Sequence, residues 1–154
     1  MVFSVLPAFA DSDLLQIENP SYYELKIDEH TFSIPYDVDG NVLAMAVDQE
    51  LTSFLIGLDK TSDSIMVIEL DNQLISAENN QFAVLVNGLE VDYNIVSNEN
   101  SSVLSFFVPA FTEEVEIIGT HVIPEFPYGI ILIFSIVVLS SIVMSKTKIP
   151  IFKL

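Results

Sequence analysis

The sequence predicts a mainly β protein, namely an antiparallel β-sandwich (immunoglobulin-like or similar) followed by one C-terminal transmembrane helix. Short runs in which apolar and polar residues alternate, separated by turn residues, predict strands over residues 21–119. These runs recur about every 8–12 residues without a helical pattern, which gives about eight or nine strands and favours a two-sheet sandwich over a small barrel. An uncharged apolar run near the C-terminus predicts the helix.

Residues 1–10 are predicted to be the end of a truncated signal peptide. Ala8 and Ala10 form the small-x-small pattern of a signal-peptidase site, with cleavage expected before Asp11. Because the stretch has no basic region and not enough apolar residues for a complete signal peptide, the true start is expected upstream. An apolar N-terminal strand is the alternative. Residues 11–20 are interpreted as an acidic leader into the folded domain.

The first half of the predicted sandwich contains five alternating runs. They cover residues 23–27, 32–36, 42–48, 52–58 and 64–70. In the first run Tyr23, Leu25 and Ile27 share the apolar face. The dipeptide Asp39-Gly40 tolerates positive φ and predicts a two-residue hairpin into the third run.

The second half contains the clearest hairpin signal. Asn87-Gly88 separates residues 81–86 from residues 89–96, whose alternation predicts one continuous strand with one buried face. Residues 103–108 are apolar on both faces and are expected to form a central strand. Residues 113–118 are predicted to be the last strand.

The charge distribution excludes some classes of partner. The chain has a net charge of −17, and all 22 acidic residues precede Phe126. In that part of the chain the only basic residues are Lys26 and Lys60. Such a domain repels nucleic acid and attracts cations or basic proteins. The absence of cysteine excludes disulfides and thiolate metal sites.

The C-terminal segment predicts where the protein lies. Residues 128–145 have the length and apolar character of a transmembrane helix, and residues 146–154 form a basic tail with Lys146, Lys148 and Lys153. Because lysine excess marks the cytoplasmic side, the tail is expected inside the cell and the domain outside it. Three serine hydroxyls in the helix can donate hydrogen bonds to backbone carbonyls of the preceding turn, which makes them compatible with lipid. They are those of Ser135, Ser140 and Ser141.

The residues in front of this helix resemble a known signal. Pro124, Glu125 and Phe126, in a linker over residues 120–127, are followed by an apolar helix and lysines. This arrangement resembles the archaeal PEF-CTERM (PEFG-CTERM) sorting domains and covers only the C-terminal part. The resemblance implies that an archaeosortase-like enzyme removes the helix and transfers the protein to a lipid. Pro127 stands where related signals often have Gly, and the basic residues are Lys rather than Arg. Without processing, the helix stays as a permanent anchor.

The sequence predicts no catalytic residue and a protein that is not an enzyme. His30 and His121 lie far apart along the chain, and no nucleophile elbow, zinc motif or phosphate loop is present. The one cofactor candidate is calcium at Asp37, Asp39 and Asn41, whose spacing matches the start of a calcium loop. Val42 stands where an EF-hand needs Gly, which favours a plain turn.

The tripeptide Asn100-Ser101-Ser102 is a glycosylation sequon in a predicted polar turn. With the outside location, these observations predict a non-catalytic structural or binding module of an archaeal envelope, with an envelope protein or glycan as partner. The alternatives are an accessory single-pass subunit of a membrane complex and an extracellular enzyme.

Overall fold

The computed structural model describes residues 15–124 and 128–146, and within the helix it describes side chains from residue 135 on. The chain divides into two compact units, Met1–Pro124 and Glu125–Leu154. The first unit is an all-β domain. The second contains one helix, α1 (Tyr128–Lys146).

The first sheet has five antiparallel strands in the order β1-β2-β5-β10-β9. Their bounds are β1 (Ser21–Ile27), β2 (His30–Asp37), β5 (Ser64–Asp71), β9 (Tyr93–Ser97) and β10 (Ser101–Val108). The β5–β10 ladder is continuous over eight residue pairs. The β2–β5 ladder contains only two, Tyr36 with Ile68 and Asp37 with Val67. It ends next to Pro35, which has no N–H to donate.

The second sheet also has five antiparallel strands, in the order β3-β4-β11-β7-β8. Their bounds are β3 (Asn41–Asp48), β4 (Ser53–Asp59), β7 (Ala83–Val86), β8 (Leu89–Val91) and β11 (Glu114–Ile118). A β-bulge interrupts the edge strand β3 between Val42 and Ala44, which weakens its use as a template for further strands. A separate two-stranded ladder pairs β6 (Ile75–Ser76) with β12 (His121–Val122).

Alternating side chains from both sheets enclose one core. In β5, for example, Met66, Ile68 and Leu70 are fully buried, whereas Ile65 is exposed on the opposite face. The second sheet contributes Phe54 and Ile56 from β4 to the same cluster. Period-two alternation therefore places the apolar face of every long strand against the other sheet, and the predicted antiparallel β-sandwich is the fold observed.

Two details of the predicted strands are wrong. Asp39-Gly40 does not close a hairpin, because β2 and β3 belong to different sheets and the segment over residues 38–40 crosses between them. The predicted strand over residues 89–96 is two strands, since the chain leaves the second sheet after Val91 and enters the first at Tyr93. The Asn87-Gly88 hairpin is confirmed, with φ of 48° and 80° at its two residues.

The strand count and order also differ from the prediction. The described residues form 12 strands, of which ten build the sandwich. In the constant-type immunoglobulin order, the third and fourth strands lie in different sheets. Here β3 and β4 are hydrogen-bonded neighbours. The first unit also extends beyond the predicted boundary at residue 119, because the Ile123 N–H donates to the Leu74 carbonyl oxygen at 2.9 Å.

The antiparallel register gives the sandwich two distinct ends. The Phe111 end carries the connections over residues 38–40, 60–63, 87–88 and 109–113, which hydrogen-bond to one another. Apart from the crossing between the sheets at Asp92, the other connections and the exit of the chain at Pro124 lie at the opposite end, which we call the Pro124 end.

The predicted transmembrane helix over residues 128–145 needs correction. A helix forms at that place, 19 residues long, and Ser140 and Ser141 donate to the Val137 carbonyl oxygen as predicted. Within the ranges described above, however, no helix is long and apolar enough to cross a membrane.

Candidate functional site

The three predicted calcium residues are divided between the sheets. Asp37 ends β2 in the first sheet, whereas Asn41 begins β3 in the second. Between them, the Asp39 backbone ties this connection to the start of β5 and the residues before it. Its N–H donates to Ser64 Oγ, and its carbonyl oxygen accepts from the Ser62 N–H. Among the residues that the structure describes, no group of three or more His, Asp or Glu side chains is placed to hold a metal ion.

The predicted glycosylation residue Asn100 is exposed in the turn between β9 and β10. The hydroxyl of Ser102, the third residue of its sequon, is nevertheless buried and lies 2.9 Å from Ser97 Oγ and 3.1 Å from Asn72 Oδ1. In the folded domain this hydroxyl is therefore inaccessible to an enzyme that reads the sequon. Modification of Asn100 would have to precede folding.

Both histidines lie at the Pro124 end. His30 begins β2, with its ring centroid 6.3 Å from that of Phe32, and His121 begins β12. Both side chains are exposed.

The predicted signal residues fall mostly outside the described ranges. Pro124 is exposed after β12, and Lys146 is the exposed last residue of α1. The remaining residues of the sorting, membrane-flank and cleavage predictions lie outside the described residues: Glu125, Phe126, Lys148, Lys153, Ala8 and Ala10.

The most unusual side chain of the domain is Phe111, in the connection between β10 and β11. Its side chain is 87% exposed and its φ is +64°. A left-handed backbone costs a residue with a Cβ about 1–2 kcal/mol, and a bulky aromatic residue rarely adopts it. The exposed ring contributes nothing to the core, so core packing does not explain this conformation.

Hydrogen bonds from the neighbouring connection hold the Phe111 loop in place. The Phe111 N–H donates to the Thr61 carbonyl oxygen at 3.2 Å, and the Ala110 N–H donates to Asp63 Oδ1 at 2.7 Å. The buried Thr112 hydroxyl donates to the Pro109 carbonyl oxygen at 2.7 Å. The ring is therefore presented by a loop whose backbone is fixed before any partner binds.

Further apolar and acidic side chains surround this end of the sandwich. Phe107 and Ile65 are opposite one another on β10 and β5, and both are about half exposed on the outer face of the first sheet. The exposed carboxylates at the same end are those of Asp37, Asp39, Asp59, Asp63, Glu113 and Glu114. We call Phe111, Phe107, Ile65 and these six carboxylates the Phe111 surface. Lys60 is the one basic residue in the four connections at this end.

Comparison of the chain with protein-family models, with curated proteins and with solved structures finds no match.

Sequence reasoning missed the Phe111 surface. Pro109-Ala110-Phe111-Thr112 separates two predicted strands, and its proline indicates a turn. An aromatic residue inside a turn of this kind is the signal that was available. The pattern does not reveal the positive φ or the exposure of the ring.

Proposed function

We propose that the protein is a non-catalytic binding module of an archaeal-type cell envelope, displayed on the outer side of the membrane. The module contacts a protein that has a positively charged surface, and the Phe111 surface is its contact region. The observation that carries the proposal is the exposed Phe111 ring on a left-handed backbone.

Three properties of Phe111 support a binding role. Strained backbone conformations that persist in a folded protein cluster at functional positions. Aromatic residues are enriched among the few side chains that dominate binding energy in interfaces. A loop that is already ordered loses little conformational entropy on binding. The Thr61 and Asp63 hydrogen bonds supply that order here.

The charge of the Phe111 surface indicates the kind of partner. Six exposed carboxylates against Lys60 produce a negative potential around the aromatic anchor. Complementary charge increases the association rate and excludes acidic partners. A lysine or arginine of the partner can also pack on the face of the Phe111 ring. A basic protein surface fits this region best.

Although no described helix is long and apolar enough to cross a membrane, the side chains described on α1 fit contact with lipid or with other helices. Ile136, Val137, Val138 and Leu139 are consecutive on α1 and between 53% and 62% exposed. Because consecutive helical residues point about 100° apart, these side chains cover every side of this part of the helix. A helix that is apolar all round is covered by lipid or by other helices. Lipid fits the sorting proposal, and neighbouring helices fit the alternative of an accessory subunit of a membrane complex.

Intact-mass measurement of the protein from native membranes tests the placement. Sorting predicts loss of the residues after about Pro124 and the added mass of a lipid. A full-length C-terminus that co-purifies with other subunits at fixed stoichiometry would instead favour the accessory subunit. Recovery only from the cytosol, with an unmodified C-terminus, would overturn the envelope proposal.

Site-specific photocrosslinking in cells tests the contact region. A photoreactive phenylalanine at position 111 is expected to give a discrete adduct with a protein of basic surface. The matched control is the same residue at position 43, where Leu43 is also exposed but lies on the edge strand β3. Equal adducts from both positions, or none from position 111, would contradict the proposed contact region.

A further inference from the structure

We propose that a cavity on the outer face of the first sheet is a binding site for an organic cation, an ammonium or guanidinium group with an apolar arm, and that Glu69 is its charged ligand. The cavity does not include the Phe111 side chain, so the site is an activity additional to protein docking. It has a volume of about 320 Å³.

The floor of the cavity is one row of side chains across four strands. Tyr22 on β1 is the register partner of Pro35 on β2, and Glu69 on β5 is the partner of Val103 on β10. Between the two pairs the β2–β5 ladder has already ended, because its last pair toward the Pro124 end is Tyr36 with Ile68. Pro35 cannot extend the ladder, and the outer face is therefore open beside Glu69.

The walls of the cavity come from the segment that precedes β1. Leu15, Gln16, Ile17 and Pro20 all line it, which places residues 15–20 against the outer face of the first sheet. Leu15 is buried although it lies outside the sandwich core. The segment adds apolar surface above a floor that already contains Pro35 and Val103.

The Ser101 hydroxyl orients the Glu69 carboxylate, but no described cationic side chain forms an ion pair with it. It is half-buried, and Ser101 Oγ donates to its Oε1 at 2.7 Å. Among the described residues this is the one hydrogen bond of the carboxylate, and no cationic side chain pairs with it. An ionised carboxylate has about four acceptor positions, so most of them remain available to a ligand.

These features select an organic cation among small ligands. An anion would be repelled by Glu69, and a neutral apolar molecule would remove water from the carboxylate without replacing its hydrogen bonds. Calcium needs six to eight oxygen ligands, whereas the lining offers one carboxylate among mainly apolar side chains. An alkylammonium can form a charge-assisted hydrogen bond with Glu69 and place its carbon chain against Ile17, Pro35 and Val103. The Tyr22 ring offers a further surface for a cation.

Calorimetric titration with n-hexylammonium in about 150 mM NaCl tests the site, because this salt screens the general attraction of an acidic surface. Hexanol and hexanoate are the neutral and anionic comparison ligands. Glu69→Gln preserves the shape and is expected to weaken hexylammonium binding at least about tenfold, as expected for loss of a hydrogen bond to a charged group. The matched control is Glu116→Gln, which changes a half-buried glutamate on the outer face of the second sheet.

A second variant tests the cavity without changing charge. Val103→Trp fills the floor and is expected to abolish hexylammonium binding while the circular dichroism spectrum stays unchanged. Three results would each overturn the proposal. They are absence of wild-type binding at about 10 mM ligand, which would half-saturate a site with a Kd of about 10 mM, equal affinity of wild type and Glu69→Gln, and hexanol binding as tight as that of hexylammonium. Crosslinking at position 111 reports on the other proposal alone, so the two can fail separately.

Discussion

The Thr61 side-chain oxygen accepts a hydrogen bond from the Thr112 N–H at 2.7 Å, and both residues are buried. The same hydroxyl lies 3.3 Å from the carbonyl oxygens of Pro109 and Thr112. One side chain of the β4–β5 connection thus accepts from one backbone N–H of the connection that carries Phe111 and has its single proton within reach of two of that connection's carbonyl oxygens. The position of the exposed ring depends on this buried contact.

Replacing Thr61 with valine removes this contact at nearly constant volume. The Thr112 N–H then remains buried without a partner, and we expect the free energy of unfolding to fall by about 1–3 kcal/mol. Urea denaturation measures the change. Thr31→Val, at an exposed position of β2, is the control and should change stability by less than about 0.5 kcal/mol. Equal effects of the two substitutions would contradict the role assigned to Thr61.

The Ser53 hydroxyl is buried like that of Thr61, but among the described residues it has no hydrogen-bond partner that a substitution could remove. On folding this hydroxyl loses its hydrogen bonds to water and gains none from the protein. Ser53→Ala is therefore expected to raise the free energy of unfolding by up to about 1 kcal/mol. Ser102→Ala, which removes a buried hydroxyl with two partners, should lower it by about 1 kcal/mol. A loss of stability in Ser53→Ala would show that the hydroxyl has a partner in solution.

Phe111→Asn separates the stability of the domain from its contact with a partner. Asparagine tolerates the left-handed conformation better than phenylalanine, so we expect the free energy of unfolding to rise by about 0.5–1 kcal/mol. Phe107→Asn replaces an exposed aromatic residue within a strand and should be destabilising. Thermal unfolding compares the two. Destabilisation by Phe111→Asn would mean that the ring has a structural role.

The net charge of −17 predicts a salt-dependent stability. Carboxylates repel one another in the compact state, and salt screens this repulsion. Raising NaCl from about 20 mM to about 500 mM, which shortens the screening length to a few ångströms, should increase the urea midpoint. Potassium chloride at the same concentrations is the control for specific sodium binding. An unchanged or lower midpoint would contradict net repulsion.

The sequence predicted the sandwich because alternation is a local property. Strands such as β2 and β5 bury one face and expose the other, and their residues show this directly. The Asn87-Gly88 turn was predicted for a similar reason, since both residues have the positive φ that the turn needs. Asp39-Gly40 is also a dipeptide typical of hairpin turns, but it connects two sheets. No local signal distinguishes a turn that returns to its own sheet from one that crosses to the other.

The candidate sites depend on contacts between distant parts of the chain. Phe111 is exposed because Thr61, 50 positions earlier, fixes its loop from the other connection. The cavity over Glu69 exists because residues 15–20 lie against the outer face of the first sheet and because the β2–β5 ladder ends early. Residue types alone indicated an acidic surface, and pairing between remote segments determined which carboxylate lies in a cavity.

The direction of the first and last sandwich strands has a mechanical consequence. β1 starts at the Phe111 end, and β11 runs toward the Pro124 end, where the chain leaves the first unit. Tension applied between Ser21 and Pro124 would therefore act along the strands. It would load the β1–β2 ladder in shear, with all of its hydrogen bonds resisting together. A fold connected in this way is suited to resist stretching forces.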